Sequence, residues 1–152
     1  MYPLDLRRSL LSFLLLFGLA AGAQAADPIY TSWFNNLAIK GYDAVAYFTE
    51  NAPVKGKKQW QLEWRGAQWR FSSAENLDAF RANPEKYAPQ YGGYCAWAVA
   101  HDKLAGIDPQ QFSVVDGKLY LNYNAQVQNK WLAERDKLII DADRRWPSVL
   151  ER

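Results

Sequence analysis

The sequence predicts a small α+β fold in a single domain, and three observations carry that prediction. Two stretches, around 58–72 and 112–121, alternate apolar and polar residues about a tight turn, as antiparallel hairpins do. A serine pair followed by Ala74 to Phe80 marks a short helix directly after the first hairpin. Val127, Trp131, Leu138, Ala142 and Trp146 then recur at steps of four and seven, one apolar stripe on a long C-terminal helix from about Asn124 to Trp146. Of 152 residues, 49% are hydrophobic, 15% aromatic and 22% charged, which is the balance of an ordinary globular domain and not of a disordered tail or coiled coil.

In chain order, Arg7 and Arg8 precede an apolar run from Leu10 to Ala21, and Ala23-Gln24-Ala25 supplies small residues at the positions a signal peptidase requires. This pattern predicts a cleavable leader at 1–25 and a domain at 26–152, placed in the periplasm or secreted. The run is shorter than the roughly 20 apolar residues of a spanning helix, so no membrane span is expected after cleavage. The arginine pair leaves the twin-arginine export route open beside the general secretory one.

In the first hairpin, Trp60, Leu62 and Trp64 share one face, and Ala67, Trp69 and Phe71 share the same face across an Arg65-Gly66 turn. A two-residue loop sets Trp64 opposite Ala67, Leu62 opposite Trp69 and Trp60 opposite Phe71. Ser72-Ser73-Ala74-Glu75 fits a capping box, and Asn83-Pro84 ends the helix because the residue before proline is driven out of helical geometry. Tyr94 to His101 reads as a short buried helix rich in alanine. Asp116-Gly117 then joins the second hairpin, with Val114 facing Leu119 and Phe112 facing Leu121.

Composition narrows the chemistry. A net charge of +2, from 18 basic and 16 acidic residues, shows no nucleic-acid footprint. Removing the leader takes away Arg7, Arg8 and Asp5 and brings the net charge down by one unit. One cysteine and one histidine exclude an internal disulfide, a multi-cysteine zinc site and any site needing two imidazoles. The phosphate-binding glycine loop, His-Glu-x-x-His, Gly-x-Ser-x-Gly and the EF-hand loop are absent from the sequence.

Phe71-Ser72-Ser73-Ala74-Glu75-Asn76, with Phe80, Pro84, Glu85, Lys86 and Tyr87 after it, resembles the core of the YHS domain. In that family an aromatic strand leads into a Cys-Ser-x-x-Cys turn, a helix ending in phenylalanine, a proline and a tyrosine. Gly41-Tyr42-Asp43-Ala44-Val45-Ala46-Tyr47-Phe48 is similar to the family's opening segment, usually Asp-Pro-x-Cys-Gly. The resemblance spans about 40–90, with 91–147 similar to an extension of exported YHS-like proteins. It implies a transition-metal site of thiolates, the soft ligands that copper and zinc take. Here Ala46, Ser72 and Asn76 stand at the three thiolate positions. No cofactor or metal ligand is therefore predicted, and copper or zinc enters only through the family.

The candidate ligand-binding residues are Asp43, Tyr47, Ser72, Asn76, Cys95 and His101. Asp43 is either a ligand-facing carboxylate or the cap of the turn after it. Ser72 and Asn76 suit a polar notch or helix capping, and Tyr47 an aromatic platform or the core. Cys95 reads as a low-pKa thiol at a helix start or as a small packed residue, the second being adopted. His101 reads as its partner or as a residue at a helix C-terminus, again the second. No catalytic residue is assigned. The primary expectation is an exported binding module for a small ligand or a weakly held ion. The alternatives are a thiol-dependent enzyme built on Cys95 and a structural or interaction protein of the cell envelope, which calls for an exposed apolar patch.

Overall fold

The computed structural model describes residues 24–152, so the predicted leader lies outside the described residues apart from Gln24 and Ala25. The α+β fold follows the predicted order: a 3-10 turn (Ile39–Gly41), α1 (Ala46–Thr49), β1 (Lys57–Trp64), β2 (Ala67–Phe71), α2 (Ala74–Ala82) and α3 (Pro84–Tyr87). A 3-10 turn at Gln90–Gly93, α4 (Ala96–Ala100), β3 (Phe112–Val115), β4 (Lys118–Leu121), α5 (Ala125–Ala133) and α6 (Arg135–Arg145) complete it, with a last 3-10 turn at Ser148–Glu151. The strands form two separate two-stranded antiparallel sheets, β1–β2 and β3–β4.

Neither ribbon is wide enough to supply a core alone, so aromatic side chains build it. In one cluster Trp69 and Phe71 of β2 meet Phe80 of α2 at ring separations of 4.8 and 5.1 Å, and Trp64 closes edge-on against Phe80 at 5.6 Å. The other cluster gathers Tyr91, Val99, Tyr120, Trp131, Leu138 and Ala142 between α4, β4 and the C-terminal helices. Each large side chain removed from water contributes about 1.5–3 kcal/mol, so these clusters carry most of the drive to fold.

The second hairpin has the predicted register, Val114 with Leu119 and Phe112 with Leu121. The first keeps Trp64 with Ala67 and Leu62 with Trp69 but departs at its far end, where Phe71 pairs with Lys57 and not with Trp60. Residues 58–60 bulge out because the start of β1 is held by the opening segment. Asp43 N donates to Val54 O at 2.8 Å and Gly56 N to Gly41 O at 2.9 Å. The hairpin turn itself suits its residues: Arg65 and Gly66 both have positive φ, 49° and 78°, as a type I′ pair requires.

Two further expectations are corrected. The C-terminal helix is broken at Glu134 (φ −129°, ψ 26°) into α5 and α6. The halves lean on different supports: Trp131 of α5 stacks on Tyr120 of β4 at 5.3 Å, whereas α6 packs against α4 and buries Leu138 and Ala142. The capping box also does not form with Glu75. Ser73 is the N-cap, its Oγ accepting from Asn76 N at 3.1 Å, so the third helical position falls on Asn76. Ser72 is thereby free for the contact described next.

Candidate functional site

Asp43, Ser72 and Asn76 come from the opening segment, the end of β2 and the first turn of α2, and they converge on one point. Asp43 is fully buried. Its Oδ1 accepts from the backbone N–H of Val45 at 2.8 Å and of Ala46 at 3.2 Å, which is the turn cap that its position suggested. Its Oδ2 accepts from Ser72 N at 2.8 Å, Ser72 Oγ at 2.7 Å and Asn76 Nδ2 at 2.7 Å. Asn76 Nδ2 also reaches Ser72 Oγ at 3.3 Å. All these neighbours donate to Asp43, whose two oxygens both serve as acceptors.

Ala46, Ser72 and Asn76, the three positions matching the family's thiolates, therefore each give a hydrogen bond to the same carboxylate. That donor set does not fit a thiophilic metal. Ala46 offers a methyl group and an N–H already directed at Asp43, and the Ser72 hydroxyl and Asn76 amide present hydrogens to Asp43, leaving no soft ligand at the point of convergence. Among the described residues, no group of three or more His, Cys, Asp or Glu side chains is arranged to hold an ion.

The other candidates lie in other networks. Tyr47 is buried, its hydroxyl donating to Pro109 O at 2.9 Å and its ring 5.0 Å from Phe112; burial, then the neighbouring Tyr42, pushes its phenol well above the usual range. Cys95 is the N-cap of α4, a helix of five residues, and its thiol donates to Asn122 Oδ1 at 3.5 Å. Burial pushes that thiol up, against the lowering by nearby backbone amides. His101 is exposed, stacked on Trp97 at 4.0 Å with Nδ1 2.7 Å from Trp97 O. Cys95 and His101 thus have separate partners and form no nucleophile and base pair. Alkylation with iodoacetamide at mildly alkaline pH is expected to leave Cys95 unmodified in the folded protein and to label it fully in guanidinium. Rapid labelling of the folded form would restore the thiol chemistry.

Two polar residues were not singled out by the sequence. Asn122 is fully buried and links three elements: its Oδ1 accepts from Trp97 N at 3.1 Å, and its Nδ2 donates to Gln128 Oε1 at 2.6 Å. Gln128 Nε2 in turn donates to Phe112 O and Ser113 Oγ, both at 2.9 Å. A signal was present in the three-residue step from Gln128 to Trp131, which sets both on one helix face.

A cleft of about 510 Å³ opens between the first hairpin turn and the C-terminal helices. Its walls include Trp64, Trp146 and Tyr91, and its charged groups are Arg65, Glu85, Lys118 and Asp143. Arg65 pairs with Glu85 and lies over the Trp64 ring at 4.5 Å from its centroid, and Tyr91 donates its hydroxyl to Asp143 at 2.8 Å. Burial, reinforced by that hydrogen bond, pushes the Tyr91 phenol well up, so it remains a donor throughout the ordinary pH range. The cleft therefore presents two cations, two anions and aromatic walls.

No curated protein and no solved structure matches the chain. Residues 45–91, from the turn capped by Asp43 to Tyr91, match the family described as YHS domain.

Proposed function

We propose that the protein is an exported, non-enzymatic binding module in which the YHS segment is the scaffold and a small polar ligand occupies the cleft beside the C-terminal helices. The observation that carries this reading is the makeup of the cleft. Its volume of about 510 Å³ suits a small molecule, and Arg65 and Lys118 are matched by Glu85 and Asp143. Balanced charge of this kind favours a neutral or zwitterionic ligand over a simple anion or cation. The rings of Trp64 and Trp146 offer flat apolar surface to such a ligand. The notch at Asp43 supports the same placement from the other side, since its donors and acceptors already satisfy one another.

The test is protein purified without denaturation and titrated, under nuclear magnetic resonance, with free amino acids and short saccharides. Shifts confined to Trp64, Trp146 and their neighbours are expected, and Lys118→Ala with Arg65→Ala should abolish them while leaving the fold intact, because both side chains are exposed. Shifts absent from the cleft, or unchanged in the double variant, would reject the reading. An enzyme built on Cys95 gains nothing from the structure, because no base contacts its thiol.

A further inference from the structure

The four charges that line the cleft beside the C-terminal helices are not equivalent. Arg65 and Glu85 are paired with each other at 2.5 Å, and the Arg65 guanidinium already rests on Trp64. Lys118 and Asp143 line the same cleft and are both exposed, and among the described residues neither takes part in an ion pair. Arg144, next to Asp143 in the chain, lines a separate depression with Asp102, Asp141, Arg145 and Arg152. The cleft therefore holds one unmatched cation and one unmatched anion.

The anion is held in a set direction. Tyr91 donates its hydroxyl to Asp143 Oδ1 at 2.8 Å, while Asp143 Oδ2 receives no hydrogen bond from the described residues. The backbone is strained to place that hydroxyl. Tyr91 has φ +57° and ψ 37°, the left-handed region that a bulky side chain enters only where its surroundings enforce it, and Gly92 and Gly93 follow at +61° and +82°. Its ring packs against Tyr120 and against Trp146, a wall of the cleft, each at 6.0 Å. Strain of this kind collects where a side chain is held ready for a ligand. A saccharide would leave both free charges without a counter-charge, and a simple anion or cation would answer one and oppose the other. A free α-amino acid carries both counter-charges on one carbon, and Trp64 and Trp146 offer its side chain apolar surface within about 510 Å³.

We infer, resting on the reading of this cleft as the ligand site, that its ligand is a free α-amino acid with a large apolar side chain. The ammonium group sits on Asp143 and the carboxylate on Lys118, and Tyr91 is a positioning residue for Asp143. The probes are L-phenylalanine, its N-acetyl derivative, its carboxamide and glucose, each titrated under nuclear magnetic resonance into protein as processed in the cell. Phenylalanine should bind at least about tenfold more tightly than either derivative, each of which lacks one charge. Asp143→Asn should abolish the preference over the N-acetyl derivative and keep that over the carboxamide, and Lys118→Gln should do the reverse. Tyr91→Phe should weaken phenylalanine and leave the N-acetyl derivative unchanged, whereas a loss of structure alone would weaken every probe alike. Equal binding of phenylalanine and its derivatives, or substitutions that weaken all probes alike, would overturn the assignment. Shifts at Trp64 and Trp146 from glucose or the derivatives, with no preference for phenylalanine, would overturn it and leave the cleft as a ligand site. No shift at those residues from any probe would overturn both.

Discussion

Asp43→Ala is expected to remove about 4 kcal/mol of folding stability, a large share of the total for a domain of this size. The substitution leaves the N–H groups of Val45, Ala46 and Ser72, the Ser72 hydroxyl and the Asn76 amide without their acceptor. Each buried donor left unpaired costs about 1–3 kcal/mol, reduced where water enters beside the half-buried Ser72 and Asn76. Asp43→Asn should fall only slightly short of this, at about 3 kcal/mol, because one of its two terminal atoms becomes a donor facing donors. Ser72→Ala and Asn76→Ala should each cost about 1 kcal/mol, since most of the network survives. Urea unfolding followed by tryptophan fluorescence measures all four. Asp43→Ala within about 1 kcal/mol of wild type would show that the carboxylate does not hold the opening segment to the hairpin.

Gly92→Ala should cost a similar amount through an unrelated mechanism. Gly92 has φ +61°, and a Cβ there would stand 1.9 Å from Pro28 O, a backbone atom that no rotamer change can move. Placing alanine in the left-handed region costs about 1–2 kcal/mol by itself. The larger consequence is displacement of the segment 26–30, whose Tyr30 N donates to Gly92 O at 2.9 Å and whose Ile29 is buried in the core. Exposing Ile29 adds about 1.5–3 kcal/mol. Gly117→Ala separates the two contributions: φ is +73° there, yet a Cβ would meet nothing within 4 Å, so only the conformational cost of about 1–2 kcal/mol remains. Limited proteolysis should cleave Gly92→Ala within 24–31 faster than wild type, while Gly117→Ala stays resistant there. Equal stability of the two variants would mean that the close approach to Pro28 yields easily.

Much of the fold is legible in the sequence because its signals are local. The alternation around Arg65-Gly66 and Asp116-Gly117 sets both hairpins, and Asn83-Pro84 divides α2 from α3 as the proline demands. The departures arise where distant residues act. The bulge at 58–60 depends on Gly41 and Asp43 bonding to Val54 and Gly56, and nothing within β1 reports that. The break at Glu134 falls inside a stripe whose seven-residue step from Trp131 to Leu138 is compatible with one straight helix, and only the two different supports reveal it.

The candidate site was legible in part. Asp43, Ser72 and Asn76 stand out by their places in the YHS-like pattern, and the structure brings them to one point. Their mutual saturation was not readable, since it depends on side-chain direction across 29 and 33 positions of chain. The cleft was missed for a related reason. Arg65, Lys118 and Asp143 belong to a hairpin turn, a second hairpin and a helix, with no shared spacing that could announce them.

The knot of bonds at Asp43 joins the opening segment to the hairpin with oxygen and nitrogen atoms the chain already carries. An oxidant finds no sulfur to attack there. Beyond Met1 the chain's one remaining sulfur atom is that of Cys95, shielded in the interior. The junction of the opening segment with the hairpin is thereby uncoupled from the redox poise of its surroundings.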